Sequence, residues 1–195
     1  MSVLASMAVF ALAASISPGP VNVVALSCGR QFGLGPSLRH VLGATVGFVV
    51  LLLFTGFGLH EVLRKWPLLT DLIRWAGMAF LLYLAWKLAA DNGRLDAQGT
   101  ILQPSFMNGA MMQWLNPKAW LAAIAGMGAF VASGEATLIW TFALIYFVIC
   151  YVSVACWVYA GAFLNRYLHN ASRIRMFNRC MALLLASCAV SLLWI

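Results

Sequence analysis

The sequence predicts an all-α integral membrane protein with six transmembrane helices, because its composition and the spacing of its charges do not suit a soluble protein. Of its 195 residues, 64% are hydrophobic and 9% are charged. Soluble domains have about 45–50% apolar and about 25% charged residues. An apolar fraction of 64% corresponds to about 125 residues, which at ~20 residues per crossing is enough for about six spans.

The same composition predicts a single membrane domain over residues 1–195, and the similar outline of its two halves gives half-repeats at about 1–95 and 96–195. The formal net charge of +7 does not indicate nucleic-acid binding, because excess Lys and Arg orient a membrane protein. The five cysteines lie in or beside apolar runs, without the close pairing that is typical of a metal site. No metal or cofactor is expected.

The spans are predicted from uncharged stretches between charged residues, because a charge at the bilayer centre costs at least ~2.5 kcal/mol. The third span is the weakest, since Arg74 and Lys87 must snorkel to opposite interfaces. The fifth is longer than a straight crossing needs, so we expect it to be tilted, bent or partly interfacial. In chain order the spans are 2–29, 41–59, 71–90, 105–130, 136–165 and 180–195, the last extended backwards through Met176.

The small residues at 43–47 predict a close packing face on the second span, against either another helix of the chain or a second copy in a homodimer. The segment 166–179 is expected to be a solvated cytoplasmic loop that touches anionic membrane lipid. The histidines fall at span ends or in a loop, a poor position for a transmembrane proton relay. These histidines are His40, His60 and His169.

The uneven distribution of basic residues predicts the orientation. Six spans place eight basic residues on one side and three on the other, which puts the first group in the cytoplasm and both termini outside. A miscounted third span would reverse this result. The first group is Arg30, Arg39, Lys87, Arg94, Arg166, Arg173, Arg175 and Arg179, and the second is Arg64, Lys65 and Arg74.

Each half opens with a span that proline interrupts, at 17–22 and at 113–118. A three-helix unit that is repeated once must be inverted, because an odd number of crossings reverses the second copy. Broken segments at corresponding positions indicate the binding site of a transporter. The predicted substrate-binding and transport residues are therefore Pro18, Gly19, Pro20, Asn22, Gln113, Asn116, Pro117 and Lys118.

Proline in a helix leaves the carbonyl group four residues earlier without its donor, which predicts free carbonyl groups at Ala14, Ile16 and Gln113. In hydrocarbon such groups need a partner from protein, water or ligand. Two interpretations stay open: two proline kinks that shape the bundle, or a polar cavity at the breaks. The adjoining amide and lysine side chains favour the cavity. The deeper tryptophans Trp114, Trp120 and Trp157 either line this cavity or fill the bundle.

Lys118 lies near the middle of the fourth predicted span, where an ionisable group marks a functional site. Either Lys118 is neutral, or its partner is a freed carbonyl group, or the anion belongs to the substrate. A fourth alternative is that the helix ends near Lys118, which then snorkels to the interface. All acidic residues lie in predicted loops or near helix ends, namely Glu61, Asp71, Asp91, Asp96 and Glu135.

An amino-acid ligand suits these groups. Its carboxylate would meet Lys118 and the N-terminal end of a half-helix. Its ammonium would meet freed carbonyl groups and the side-chain oxygens of Asn22, Asn116 or Gln113. Each of these amides is either a ligand or a hydrogen bond between helices.

The two motifs, their separation and the chain length resemble the lysine exporter (LysE/RhtB) family of bacterial amino-acid exporters. Residues 17–20 with Asn22 are similar to its N-terminal Thr/Ser-Pro-Gly-Pro-x-Asn signature, residues 76–87 to its third-helix motif, and residues 113–119 to its fourth-helix Asn-Pro-Lys segment. The resemblance covers most of the chain. It implies export of amino acids or their derivatives by alternating access, with protons as the coupling ion in antiport.

One departure from the family concerns the substrate. Many members have an acidic residue shortly after the second-helix glycines, where this chain has Phe48. Lysine or arginine is therefore a less suitable substrate, and the proton carrier is unidentified. The apolar form of this helix is similar to the cysteine/O-acetylserine exporter branch, which implies small neutral amino acids.

Two other classes of function compete with an exporter. An intramembrane enzyme would need a nucleophile with a paired base, two acids or a metal cluster within the membrane, and the sequence predicts none there. A passive channel or structural membrane subunit is the other alternative. Uphill, proton-dependent efflux separates a carrier from a channel.

Overall fold

A computed structural model describes residues 2–59, 67–90, 103–131, 135–167 and 170–191. All regular secondary structure in these segments is helical, which confirms the all-α prediction for them. A π-helical turn at Thr55–Leu59 and a 3-10 turn at Asn165–Tyr167 follow two of the helices. The α-helices are α1 Val3–Ile16, α2 Pro20–Phe32, α3 Leu34–Phe54, α4 Pro67–Ala89, α5 Phe106–Trp114, α6 Pro117–Phe130, α7 Ala136–Leu164 and α8 Ala171–Ser191.

Two stretches of the described chain are long and apolar enough to cross a membrane as single helices, Leu34–Gly58 and Ala136–Leu164. The pair α1 and α2 qualifies as a third, broken span, and its two axes differ by 60°. The fold is therefore helical with apolar helices that suit a membrane. The six-span arrangement with two inverted repeats stays a prediction.

Helix α3 begins seven residues before the predicted second span, because Gly33 provides the turn between α2 and α3. Its φ of 74° lies in the left-handed region that glycine adopts without strain. His40 consequently lies inside α3 and is 1% exposed. The prediction that His40 marks a span end was wrong, because the apolar stretch Leu34–Gly58 contains it and its main chain packs against Gly109 of α5. His60 and His169 lie outside the described residues.

Helix α8 also begins earlier than predicted. The Asn170 carbonyl accepts the N–H of Ile174 at 3.0 Å, and the Asn170 side chain accepts the N–H of Ser172 at 3.0 Å. This cap starts the helix at Ala171, so the prediction of a solvated loop through residue 179 was wrong. The helix buries Ile174 and Asn178 and exposes its basic residues, which are Arg173, Arg175 and Arg179.

The broken pair α1 and α2 runs in the same direction as α7. Near the start of both, the rings of Phe10 and Phe142 lie 6.2 Å apart between centroids. Near the end of both, the main chain of Leu26 contacts Gly161. Helix α3 runs against α7, since Phe48 meets Tyr146 while Gly56 meets Ile139. Alternating directions are what a chain that crosses a membrane repeatedly requires.

Glycine allows two helix pairs to approach until their backbones touch. An ideal Cβ on Gly43 of α3 would lie 1.9 Å from the carbonyl oxygen of Phe106 in α5, and one on Gly109 would lie 2.1 Å from that of His40. Gly29 of α2 and Gly161 of α7 form a similar pair with Val158 and Leu26. The small-residue face at 43–47 therefore packs against a helix of the same chain, and a homodimer stays a prediction.

Candidate functional site

The chain breaks at both predicted proline motifs. Helix α1 ends at Ile16 and α2 starts at Pro20, while α5 ends at Trp114 and α6 starts at Pro117. Pro20 and Pro117 each occupy the first turn of a new helix, where the missing N–H has no cost because that position has no helical acceptor. The prolines therefore begin separate half-helices instead of kinking continuous ones.

Lys118 joins the two breaks. Its Nζ donates hydrogen bonds to the carbonyl oxygen of Ser17 at 2.8 Å, the hydroxyl of Ser17 at 2.8 Å and the carbonyl oxygen of Pro18 at 3.1 Å. Gly19 leaves room for this side chain, since a Cβ there would lie 3.1 Å from both Cδ and Nζ of Lys118. Helix α6 continues to Phe130. The predicted fourth span therefore does break near Lys118, but a second half-helix continues past this residue, and its Nζ lies against the first break.

The three carbonyl groups that were predicted to be free at Ala14, Ile16 and Gln113 all accept hydrogen bonds within the protein. Lys118 instead reaches the oxygens of Ser17 and Pro18. The main chain is extended at the first break, so donors at the breaks and on α7 can reach the three predicted carbonyl groups. The donors to the three predicted groups are the Ser17 hydroxyl at 3.2 Å, the Trp157 indole N–H at 3.2 Å and the Asn116 main-chain N–H at 3.2 Å.

The predicted asparagines stabilise the breaks. The Asn22 amide donates to the carbonyl oxygens of Ser15 at 2.9 Å and Ser17 at 2.8 Å. The Asn116 side-chain oxygen accepts the N–H of Lys118 at 3.2 Å and caps α6, while its amide donates to the Gln113 side-chain oxygen at 3.5 Å. These amides therefore hold the half-helices in place and also reach the space between them.

A cavity of about 40 Å³ lies between the breaks. A cavity needs about 10–15 Å³ to hold one water molecule, so this one has room for a few waters and none for an amino acid. Five predicted residues line the cavity, namely Gly19, Asn22, Gln113, Asn116 and Lys118. The other three, Pro18, Pro20 and Pro117, shape the breaks without lining the cavity.

Four chemically distinctive wall residues were not among the predicted site residues, namely Ser15, Phe48, Tyr146 and Cys150. The rings of Phe48 in α3 and Tyr146 in α7 stack with centroids 4.3 Å apart and planes 24° apart. Sequence reasoning could have found Ser15, which lies directly before the first break. The contact between Phe48 and Tyr146 depends on how α3 packs against α7. The rest of the wall is apolar: Ala14, Val21, Ala119, Ala122 and Val154.

The deeper tryptophans stabilise the helix ends and do not line the cavity. Besides the bond from Trp157 to Ile16, the indole N–H of Trp120 donates to the carbonyl oxygen of Trp114 at 2.8 Å. The rings of Trp114 and Trp120 meet edge to face at 5.8 Å between centroids. The alternative in which these residues fill the bundle is the one that the structure supports.

The chain is similar to known proteins over nearly its whole length. The family model for the LysE type translocator matches residues 12–194. The chain belongs to the LysE type translocator family. This LysE type translocator is therefore a membrane transport protein, and the family contains transporters, not enzymes.

Curated relatives cover the full length of this LysE type translocator. The proteins of Escherichia coli K12 and Shigella sonnei named cysteine/O-acetylserine efflux protein are each 29% identical to it over 197 aligned residues. The alignments cover 99% of this chain and 98% of each relative. No solved structure matches the chain significantly.

Proposed function

We propose that this LysE type translocator exports small neutral amino acids, or close derivatives of them, from the bacterial cytoplasm across the inner membrane by proton-coupled alternating access. The observation that carries the proposal is the bridge from Lys118 to the first break, beside a cavity that Asn22, Gln113 and Asn116 also line. An ammonium group that is already held by main-chain oxygens can exchange those partners for a carboxylate.

The substrate carboxylate would bind Lys118 and the first turn of α2. Gly19 precedes that turn and provides no side-chain cap, and Val21 and Asn22 line the cavity. Unpaired N–H groups and the helix dipole favour an anion at such a helix end. Charge-assisted hydrogen bonds of this kind are about twice as strong as neutral ones.

The substrate ammonium would take over the oxygens that Lys118 releases at Ser17 and Pro18. The side-chain oxygens of Asn22, Gln113 and Asn116 provide further acceptors. Binding therefore exchanges one set of ionic partners for another, with little net loss of hydrogen bonds. It also removes the direct bond between the two breaks, which would couple substrate binding to the opening of the cavity.

The preference for small neutral substrates rests on the cavity wall and on the relatives. Phe48 of α3 lines the cavity wall. Its side chain is apolar and provides no counter-charge for a cationic substrate. The relatives carry the name cysteine/O-acetylserine efflux protein, and both compounds are small amino acids without a charged side chain.

Counterflow in proteoliposomes tests the proposal. Purified protein would be reconstituted into vesicles that are loaded with neutral, basic or acidic amino acids, with and without a pH gradient. We expect exchange of cysteine and serine, weak exchange of lysine and aspartate, and uphill movement when a pH gradient is present. Absence of exchange for every amino acid contradicts the export function, and downhill movement alone indicates a channel.

A further inference from the structure

We propose that Ser15, Phe48 and Tyr146 form a side-chain subsite of the cavity that selects a small uncharged side chain with a hydroxyl or thiol group. This inference rests on the proposed export function and specifies the substrate class. These three residues form a part of the cavity wall that the proposed carboxylate and ammonium contacts do not use.

Ser15 has a buried hydroxyl that needs a partner. The residue is 8% exposed, and its Oγ has no hydrogen-bond partner of acceptable geometry among the described residues. Ser27 and Ser37 share this property, but Ser15 alone of the three lines the cavity. A buried hydroxyl without a partner is unfavourable, and a polar atom on a bound side chain would relieve that cost.

The surroundings of this hydroxyl are the aromatic part of the wall. The Ser15 hydroxyl faces the Tyr146 hydroxyl and the Cys150 thiol, but these contacts do not have the geometry of full hydrogen bonds, and Tyr146 stacks on Phe48. Both ring residues are almost fully buried. Stacked rings that are packed on all sides cannot move easily, so they limit the length of a bound side chain.

The charges of the wall restrict the ligand further. Lys118 is the only residue charged at neutral pH among the described residues that line the cavity, and the proposed mechanism uses it for the carboxylate. A cationic side chain would find no acid there, and an anionic one would find no second base. Because a buried charge without a partner is strongly unfavourable, the subsite excludes both.

The hydroxyl is tested by the pair of variants Ser15→Ala and Ser27→Ala. Counterflow of L-serine is compared with that of L-2-aminobutyrate, which replaces the hydroxyl with a methyl group. We expect Ser15→Ala to lower the serine preference about tenfold, a typical effect of losing one hydrogen bond to a ligand. Ser27→Ala removes an equally buried hydroxyl outside the cavity and should keep the wild-type ratio. An unchanged ratio in Ser15→Ala overturns this role of the hydroxyl.

The aromatic wall is tested by Phe48→Ala, with Phe106→Ala as a control whose ring is exposed and outside the cavity. Shortening Phe48 opens space for a longer side chain, so leucine counterflow relative to serine should rise about tenfold. This ratio does not depend on how much of the variant folds. Continued exclusion of leucine by Phe48→Ala overturns the size limit.

The wild-type result separates the two proposals. If wild-type protein exchanges no amino acid, the export function fails and the subsite fails with it. If wild-type protein exchanges amino acids but the Ser15→Ala and Phe48→Ala ratios equal the wild-type ratios, the export function stands and the subsite is wrong.

Discussion

Lys118 illustrates how a lysine can be held inside a membrane protein. Its ammonium group is bonded to two carbonyl oxygens and one hydroxyl at the end of α1. A broken helix end exposes such oxygens without intrahelical partners. The bridge therefore satisfies polar groups of both breaks at once, and it is the contact that a substrate carboxylate displaces in the proposed mechanism.

The variant Lys118→Met should abolish efflux, with a loss of about a hundredfold or more, because the carboxylate loses a charge-assisted partner. Lys118→Arg should also be poor, since a planar guanidinium differs in size and donor geometry from an ammonium. Counterflow of serine measures both effects. Membrane insertion should be unchanged and Tm should fall by about 2–4 °C, the change that about 1 kcal/mol produces in a chain of this size. Wild-type transport by Lys118→Met would remove this lysine from the mechanism.

At the scale of the elements, one half-helix beside each break touches a neighbouring helix backbone to backbone at glycine. Helix α5 touches α3 through Gly43 and Gly109, and α2 touches α7 through Gly29 and Gly161. Close backbone approach between membrane helices depends on small residues. Helices α1 and α6 meet instead through side chains, such as the rings of Phe10 and Phe130 at 5.7 Å.

Gly43→Ala should destabilise the bundle, because the new Cβ would lie 1.9 Å from the main-chain oxygen of Phe106. Overpacking of a core costs about 1–3 kcal/mol, and here backbone must move. We expect Tm in detergent to fall by about 5–10 °C. Gly35→Ala is the matched control, since Gly35 lies on the same helix and a Cβ there meets nothing within 4 Å. Equal Tm values for both variants would contradict the close contact.

At the scale of the whole molecule, the directions of the helices agree with an alternating path through a membrane. The pair α1 and α2 runs parallel to α7, and α3 runs antiparallel to α7. Arg30, at the end of α2, is buried and donates to the Asn178 side chain of α8 at 3.3 Å. This bond places the last helix beside α2, so a helix of the second half of the chain packs against one of the first half.

The positive-inside distribution predicts that both termini lie in the periplasm. Fusion of alkaline phosphatase after residue 195 should give active enzyme, because that enzyme folds only outside the cytoplasm. A fluorescent protein inserted after residue 94 should fluoresce, since this loop is predicted to be cytoplasmic. A fluorescent C-terminal fusion together with an inactive phosphatase fusion would show the opposite orientation.

The sequence predicted both breaks correctly, because proline acts on its own helix. It misplaced the starts of α3 and α8, since Gly33 and the Asn170 cap decide these starts and the polar residues nearby do not. It named five of the residues that line the cavity and omitted Ser15, Phe48 and Tyr146. Ser15 could have been found from its place before the first break, whereas the contact between Phe48 and Tyr146 depends on how α3 packs against α7.

The sequence by itself determined the membrane class, the family resemblance and the two interruptions, and it predicted Lys118 as a site residue. These are local properties, set by runs of apolar residues and by proline within a few positions of its effect. Only the tertiary structure decided which oxygens Lys118 meets, because Ser17 lies 101 residues away along the chain. It also decided that His40 is buried, that Gly43 touches α5 and that Phe48 stacks on Tyr146. Contacts between distant segments depend on how whole helices pack, and no short stretch of sequence encodes that packing.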